Sequence, residues 1–421
     1  MSLFTDRIKL KKFGSLLVLT LAAILAGQCS LSAQTSVDID YLYFTKDEIA
    51  NVKKLADQNS ESVAPQLAAL KKYNDKMIDK GPWSVMDAPS PAASGDPHDY
   101  FSEGPYWWPD PQNPNGPYIR KDGEVNPERF EKHRRAMEFM TNSVLGLSST
   151  GYFLNCDKCS ERAITLMNVW FVDPATKMNP HMDYAQAIRG ITNGRGIGII
   201  DSRSLVDVLI GINFLKASGK WDSNSDVAKG VNSWFKSYLN WLTTSKNGLD
   251  EKTHGNNHST WWTVQVSAIA AYLNDTKTFD MVINYTKELI ESEIEADGSC
   301  PLEEERTKSL GYSSMNLDAF SMTCRLAQLK GIDLWNVKNS KGASVAKSME
   351  YLFPYIKDPS TWKKEQIEKY GNSEKRFLAF GGMALDKPEY LALYKEESSP
   401  ASSTNDPFVL LLNLVFHASN R

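Results

Sequence analysis

Cysteine is scarce in this chain: Cys29, Cys156, Cys159, Cys300 and Cys324 are all that 421 residues contain. So few thiols in so long a chain exclude a disulfide framework, and a sizeable apolar core has to carry the fold instead. Cys156 and Cys159 have the spacing of a redox or metal pair, but no second pair lies nearby and no strand-then-helix setting surrounds them. They read as a helix-start pair or as one local disulfide. Charge of one sign is missing too: the net charge of -4 gives no electrostatic reason to expect nucleic acid. Strand-like alternation is rare, which argues against a sheet protein, and no motif recurs at a fixed period, which argues against a repeat array. Beyond the N-terminus no apolar run is long enough to span a membrane.

The apolar run that does exist sits at the start. Arg7, Lys9, Lys11 and Lys12 precede the apolar stretch 16–27, and small and polar residues lead to Ala33 and Gln34. This is the pattern of a signal peptide over 1–33, cleaved after Ala33, leaving 34–421 as a single domain. Cys29 offers a lipoprotein alternative, but Gln28 stands where a small residue is wanted. The expectation is therefore a soluble exported protein, periplasmic or extracellular.

From Thr45 onward the pattern is helix after helix. Thr45 with Glu48 makes a capping box for a helix over 46–56, and 61–80 follows, stopped by Gly81 and Pro82. Further helices are expected over 127–148, 152–170, 202–217, 226–245, 259–273, 277–294, 313–329, 343–353 and 407–418. Within 226–245, Val227, Val231, Trp234, Phe235, Tyr238, Leu239 and Leu242 trace one apolar stripe. Short connections make neighbours antiparallel hairpins. An all-α fold follows; a helical bundle or solenoid is the plain option, and an α/α toroid, incomplete or closed, with long ordered loops over a central cleft, is the architecture that fits a chain of this size.

The longest irregular segment is 83–127, where Pro89, Pro91, Pro97, Pro105, Pro109, Pro111, Pro114 and Pro117 exclude helix interiors and central strands. At its centre, Tyr106, Trp107 and Trp108 need something to pack on. The segment reads as an ordered lid or wall over a cleft, or else as an apolar plug.

The densest polar chemistry lies in His254-Gly255-Asn256-Asn257-His258-Ser259-Thr260-Trp261-Trp262. Apolar residues follow at helical spacing, so the Asn and His residues sit at a helix N-terminus, whose free N–H groups and dipole suit an anionic ligand. His254 and His258 are four apart, as in zinc-binding helices, but Gly255-Asn256-Asn257 between them break helices and supply no carboxylate. Two other segments stand out. One, 179–201, is Gly-rich and contains Tyr184, Gln186 and Arg195; the other, 297–313, carries Glu303, Glu304 and Glu305 beside Arg306, a run that by itself reads as solvated charge.

Asn256-Asn257-His258 followed by Trp261, then Glu305-Arg306-Thr307 with Tyr312 and Asn316-Leu317, resembles the alginate lyase superfamily of α/α-toroid polysaccharide lyases. Gly104-Pro105-Tyr106-Trp107-Trp108-Pro109 and Gly194-Arg195-Gly196-Ile197-Gly198 also resemble segments of its secreted bacterial members, and together the matches span about residues 100–317. The resemblance implies β-elimination on a uronate polymer, alginate or polymannuronate first and glucuronan as the alternative. It implies Asn257, His258, Arg306 and Tyr312 as catalytic residues. Tyr106, Trp107, Trp108, Tyr184, Gln186, Arg195, His254, Asn256 and Trp261 are the expected substrate contacts.

The chemistry suits those residues independently. Elimination removes the weakly acidic C5 proton, and donors aimed at the adjacent carboxylate stabilise the developing dianion. Asn257, His258 and Arg306 supply donors, and Tyr312 carries the proton, its pKa of about 10 expected to fall beside a guanidinium. His258 competes for the role of base. No metal or cofactor is called for, the expected partner is an anionic polysaccharide, and a monomer is expected. A glycoside hydrolase using Asp201 with one of Glu303 to Glu305, or a noncatalytic polysaccharide-binding protein, are the alternatives from other classes.

Overall fold

The computed structural model describes residues 41–371, 375–397 and 406–419; the expected signal peptide lies outside them. Fifteen helices can be named in chain order among the described residues. They are α1 Lys46–Asp57, α2 Ala64–Met77, α3 Lys132–Phe153, α4 Asp157–Phe171, α5 Leu205–Ala217, α6 Asp226–Thr244, α7 Lys246–Lys252 and α8 Asn257–Tyr272. After these come α9 Thr276–Glu293, α10 Pro301–Glu304, α11 Ser309–Leu329, α12 Val345–Lys357, α13 Arg376–Ala384, α14 Pro388–Glu397 and α15 Pro407–Ala418.

Burial divides the helices into two kinds. In α8 every residue except His258 and Tyr272 is buried, and in α5 burial runs unbroken from Leu205 to Leu215. A helix covered on all sides belongs to an inner layer. In α6 burial is confined to a stripe through Ala228, Val231, Trp234, Phe235, Tyr238, Leu239 and Leu242, the signature of an outer helix. Successive inner helices touch: α3 meets α5, α5 meets α8, α8 meets α11, α11 meets α13, α13 meets α15, and α15 returns to α3. That circuit is a closed ring, and outer helices such as α4, α6 and α9 pack behind it. The fold is an α/α toroid.

Alternation between layers places the loops. Most links leaving an inner helix are short, as from Phe153 to Asp157 or from Tyr272 to Thr276. Long segments precede α3, α5, α11 and α13, so antiparallel hairpins bring the long loops and the N-termini of the inner helices to one end. The 83–127 segment belongs there and is ordered. Its strand β1 Phe101–Glu103 pairs in parallel with β4 Tyr184–Ala187, and β2 Trp107–Trp108 pairs antiparallel with β3 Ile119–Arg120.

Local signals placed several elements well. Thr45 Oγ1 accepts from the Glu48 N–H at 3.1 Å while Glu48 Oε2 accepts from the Thr45 N–H at 2.8 Å, so the capping box is real. The helix expected from 127 begins instead at Lys132, because Glu103 takes the Phe130 N–H and holds that stretch against β1. Helix α7 was not expected; Ser245 both ends α6 and caps α7 through Gly248 N. Helices α13 and α14 were also missed, being short, and α13 carries two adjacent glycines. Cys156 and Cys159 form a local disulfide where α4 begins. Among the described residues no helix is long and apolar enough to cross a membrane.

Candidate active site

Helix α8 starts as its sequence dictates. Asn256 is the N-cap, its Oδ1 accepting from the His258 N–H at 3.1 Å, and Gly255 enters at φ +82, a left-handed turn that favours glycine. Asn257 is 1% exposed, and both its backbone N–H and its Nδ2 donate to Glu303 on α10. Glu303 and Glu304 are buried, which corrects the reading of a solvated charge run: Glu303 holds Asn257, and Glu304 pairs with Lys364. Burial pushes the Glu303 carboxyl up to about 7 against the opposing hydrogen bonds from Asn257 and the charge of Arg306.

His258 is held from below by α7. Its Nδ1 lies 3.2 Å from Glu251 Oε1, and Glu251 is fully buried. Burial, then Arg306 and Arg195, lower the His258 pKa to about 3, while burial, with Asp250 and Asp201 nearby, raises the Glu251 carboxyl well above its usual range. Both shifts favour the uncharged forms of the two side chains. His258 Nε2 makes no hydrogen bond among the described residues, and the side chain keeps 13% exposure. His254 stands edge-on to it, ring centroids 5.2 Å apart.

Arg306 and Tyr312 form the second half of the site. Arg306 Nη2 donates to Tyr312 Oη at 2.8 Å, with the guanidinium 3.8 Å from the phenol ring centroid. Tyr106 reaches in from the long loop to place its hydroxyl 2.6 Å from that of Tyr312. Arg306 Nε and Nη2 also grip Asp122 of the same loop, at 3.1 and 2.8 Å, and Thr307 adds its N–H and hydroxyl. The phenol is not lowered as expected. Burial and the neighbouring Tyr106 push Tyr312 well above the usual tyrosine range, and Arg306 offsets only part of that.

A sequence model of the alginate lyase family matches residues 84–362, a span that contains each of these groups. The chain belongs to the alginate lyase family. A solved alginate lyase from Bacteroides ovatus is similar over 88% of this chain and 98% of its own, at 35% identity with a TM-score of 0.78. The alginate lyase A1-III from Sphingomonas species A1 shares the fold over 86% of this chain and 92% of its own, at 16% identity with a TM-score of 0.57. Among curated proteins no sequence matches.

In this alginate lyase family member the other expected contacts divide. Arg195 joins the cluster: it is a neighbour of His258 in charge, and its Nη2 sits beside Gly104 and the Trp107 ring. Burial brings its pKa down to about 10. Gln186 is buried and positions Arg195, accepting from its Nε and Nη2 while donating to Asp201 Oδ1. Tyr184 lies edge-on to His181 and packs on the small cluster of Ala92, Phe101 and Ala187. Asn256 is used as the cap. Trp261, one turn along α8, is buried under Arg203 and lines a cavity of about 300 Å³ with Asp201, Asp207 and Arg376. Trp107 and Trp108 are half-buried; Trp108 donates to Glu124 O and carries Lys121 over its ring.

The glycines of 194–198 serve chain packing. A Cβ on Gly194 would meet Asp183 O at 2.0 Å, and one on Gly198 would meet Ala185 O at 2.5 Å, so they let the loop lie against β4. Asp201 accepts from Tyr100, Ser102 and Gln186, and Glu303 from Asn257, so this carboxylate pair is committed to holding its neighbours. Asp122 and Glu251 were not foreseen. Neither stands in a motif, and each gains meaning only from a partner on another element.

Proposed function

We infer that the protein is a polysaccharide lyase that cleaves alginate, or a closely related polyuronate, by β-elimination. Membership of the family supports the reaction class, and one geometric observation carries the roles. A protonated Tyr312, bonded to Arg306 at 2.8 Å, shares a loop-covered site with a neutral His258 whose Nε2 is unengaged.

Those protonation states suit an acid and a base. His258 Nε2 takes the C5 proton, the C5 electron pair forms the C4–C5 double bond, and the C4–O bond breaks. Tyr312 Oη then gives its proton to the departing glycosidic oxygen. The substrate carboxylate raises the affinity of His258 for a proton as it binds, because an adjacent anion favours the imidazolium. Arg195 and the Nη1 of Arg306, which makes no hydrogen bond among the described residues, are the donors for the carboxylate, with Asn257 beside them. Tyr106, Trp107 and His254 form the wall against which the sugar rings lie.

A second assignment makes Tyr312 both base and acid, and the Arg306 contact favours it, since a guanidinium at 2.8 Å stabilises a phenolate. The two assignments suit substrates whose C5 proton lies on opposite faces of the ring. Incubation with polymannuronate, polyguluronate and glucuronan, following ultraviolet absorbance of the unsaturated product, tests the function. No rise with any polyuronate would overturn it, and reducing ends without unsaturation would indicate hydrolysis. We further propose export through residues 1–33, a single catalytic domain over 34–421 and action as a monomer in the periplasm or outside the cell. The N-terminal residue and mass of the mature protein would check this.

A further inference from the structure

Asn257 stands where the substrate carboxylate has to be neutralised, yet its amide nitrogen is already engaged. Nδ2 lies 2.9 and 2.8 Å from Glu303 Oε1 and Oε2, and the backbone N–H of Asn257 donates to Oε1 at 2.5 Å. A carboxylate that accepts from Nδ2 leaves Oδ1, an acceptor, as the end of the amide available to a ligand, and an acceptor facing a uronate repels it. The two ends of an amide have nearly the same shape, so hydrogen-bond partners decide its orientation. With a proton on Glu303 the arrangement inverts. Oε1 still accepts from the backbone N–H, the Oε2 hydroxyl donates to Asn257 Oδ1, and Nδ2 is released as a donor.

We propose that Glu303 is a positioning residue whose proton selects which end of the Asn257 amide meets the substrate carboxylate, the acid form being the productive one. The proposal rests on the polyuronate lyase reading of this site.

The surroundings of Glu303 favour the proton. The residue is 0% exposed. Glu293 approaches from α9, bridged to α11 by Asn316 Nδ2 at 3.1 Å. The thiol of Cys300 lies at the start of α10, and Glu304 follows on the same helix, engaged with Lys364. Helix α8 contributes the neutral amide of Asn257. Arg306 is the cation that acts on Glu303, and two of its nitrogens are turned to Asp122. The carboxyl sits at about 7 and that of Glu293 at about 8, burial being the first cause of both. A bound uronate adds a further negative charge, so binding and protonation of Glu303 promote each other.

The test compares wild type with Glu303→Gln and Glu303→Asp, using an alginate oligosaccharide for calorimetry and polymer for kinetics. In wild type, binding near neutral pH takes up a proton, seen as a dependence of the binding heat on buffer ionisation, and KM rises about tenfold per pH unit above about 7. Gln mimics the acid form, so its KM loses this alkaline rise and its binding loses the proton uptake. Asp keeps the charge but falls one methylene short, and its kcat/KM drops on the order of a hundredfold. Absence of proton uptake in wild type overturns the proposal without recourse to any variant. It also fails if folded Glu303→Gln is as inactive as Glu303→Asp, or keeps the alkaline rise. A wild type that neither binds nor cleaves polyuronate brings down the lyase reading together with the proposal; an active wild type with an inactive Gln variant brings down the proposal alone.

Discussion

Asp122 and Arg306 form a two-point ion pair across 184 residues, Nε to Oδ2 at 3.1 Å and Nη2 to Oδ1 at 2.8 Å. The pair ties the long aromatic loop to the residue that contacts Tyr312, so loop position and phenol environment are set by one contact. Asp122→Ala should lower kcat/KM by about tenfold to a hundredfold through misplacement of Arg306 and Tyr106. The loss in stability should be about 1–3 kcal/mol, the scale of a charge-assisted hydrogen bond in a half-exposed setting. Arg306 holds the Asp122 carboxyl well below the usual carboxylate range, so its contribution is present above the unfolded value of about 4 and is lost as pH falls further. Steady-state kinetics and thermal melting on the one variant check both statements.

Tyr312→Phe keeps the ring under the Arg306 guanidinium and removes the hydroxyl. Turnover on alginate should fall by orders of magnitude with KM nearly unchanged, because the lost group moves a proton and adds little to binding. Near-normal turnover would assign the proton transfer to another residue.

His258 offers a prediction in stability as well as rate. Its folded pKa of about 3 lies below the unfolded value of about 6.5, so acid protonates the unfolded chain first and stability drains as pH falls between those values. In His258→Gln that acid decline should be shallower, while turnover on substrates that need the imidazole as base is lost. Melting temperature measured across pH, beside rates on polymannuronate and polyguluronate, separates the two effects.

Trp107 and Trp108 should part company. The Trp107 ring sits beside Arg195 and Gly104, so Trp107→Ala is expected to raise KM for polymer with a small change in melting temperature. Trp108 is bound within its own loop by Glu124 O and Lys121, so Trp108→Ala is expected to lower the melting temperature by a few degrees and leave KM close to wild type. The reverse pattern would exchange their roles.

Much of the scaffold could be read locally. The apolar stripe of 226–244, the capping box at Thr45 and the Asn256 cap of α8 all depend on residues within a turn or two of one another, and propensity and periodicity report such relations directly. The resemblance carried by Asn257, His258, Arg306 and Tyr312 pointed to a candidate site for the same reason, since each sits in a short contiguous motif. Gln186 and Trp261, by contrast, lay in the same stretches as Arg195 and His258 yet are buried, Gln186 accepting a hydrogen bond from Arg195.

What the sequence by itself determined was most of the longer helices, the apolar stripe of α6 and the stretch where the chemistry starts. Tertiary structure alone decided ring closure, because contact between α15 and α3 joins segments from opposite ends of the described chain. It also decided the directions in which the titrating groups shift. Glu303, Glu251 and Tyr312 have ordinary side chains whose pKa values are moved by burial and by partners on other elements, and desolvation is a property of the packed assembly that no neighbouring residue in the chain encodes.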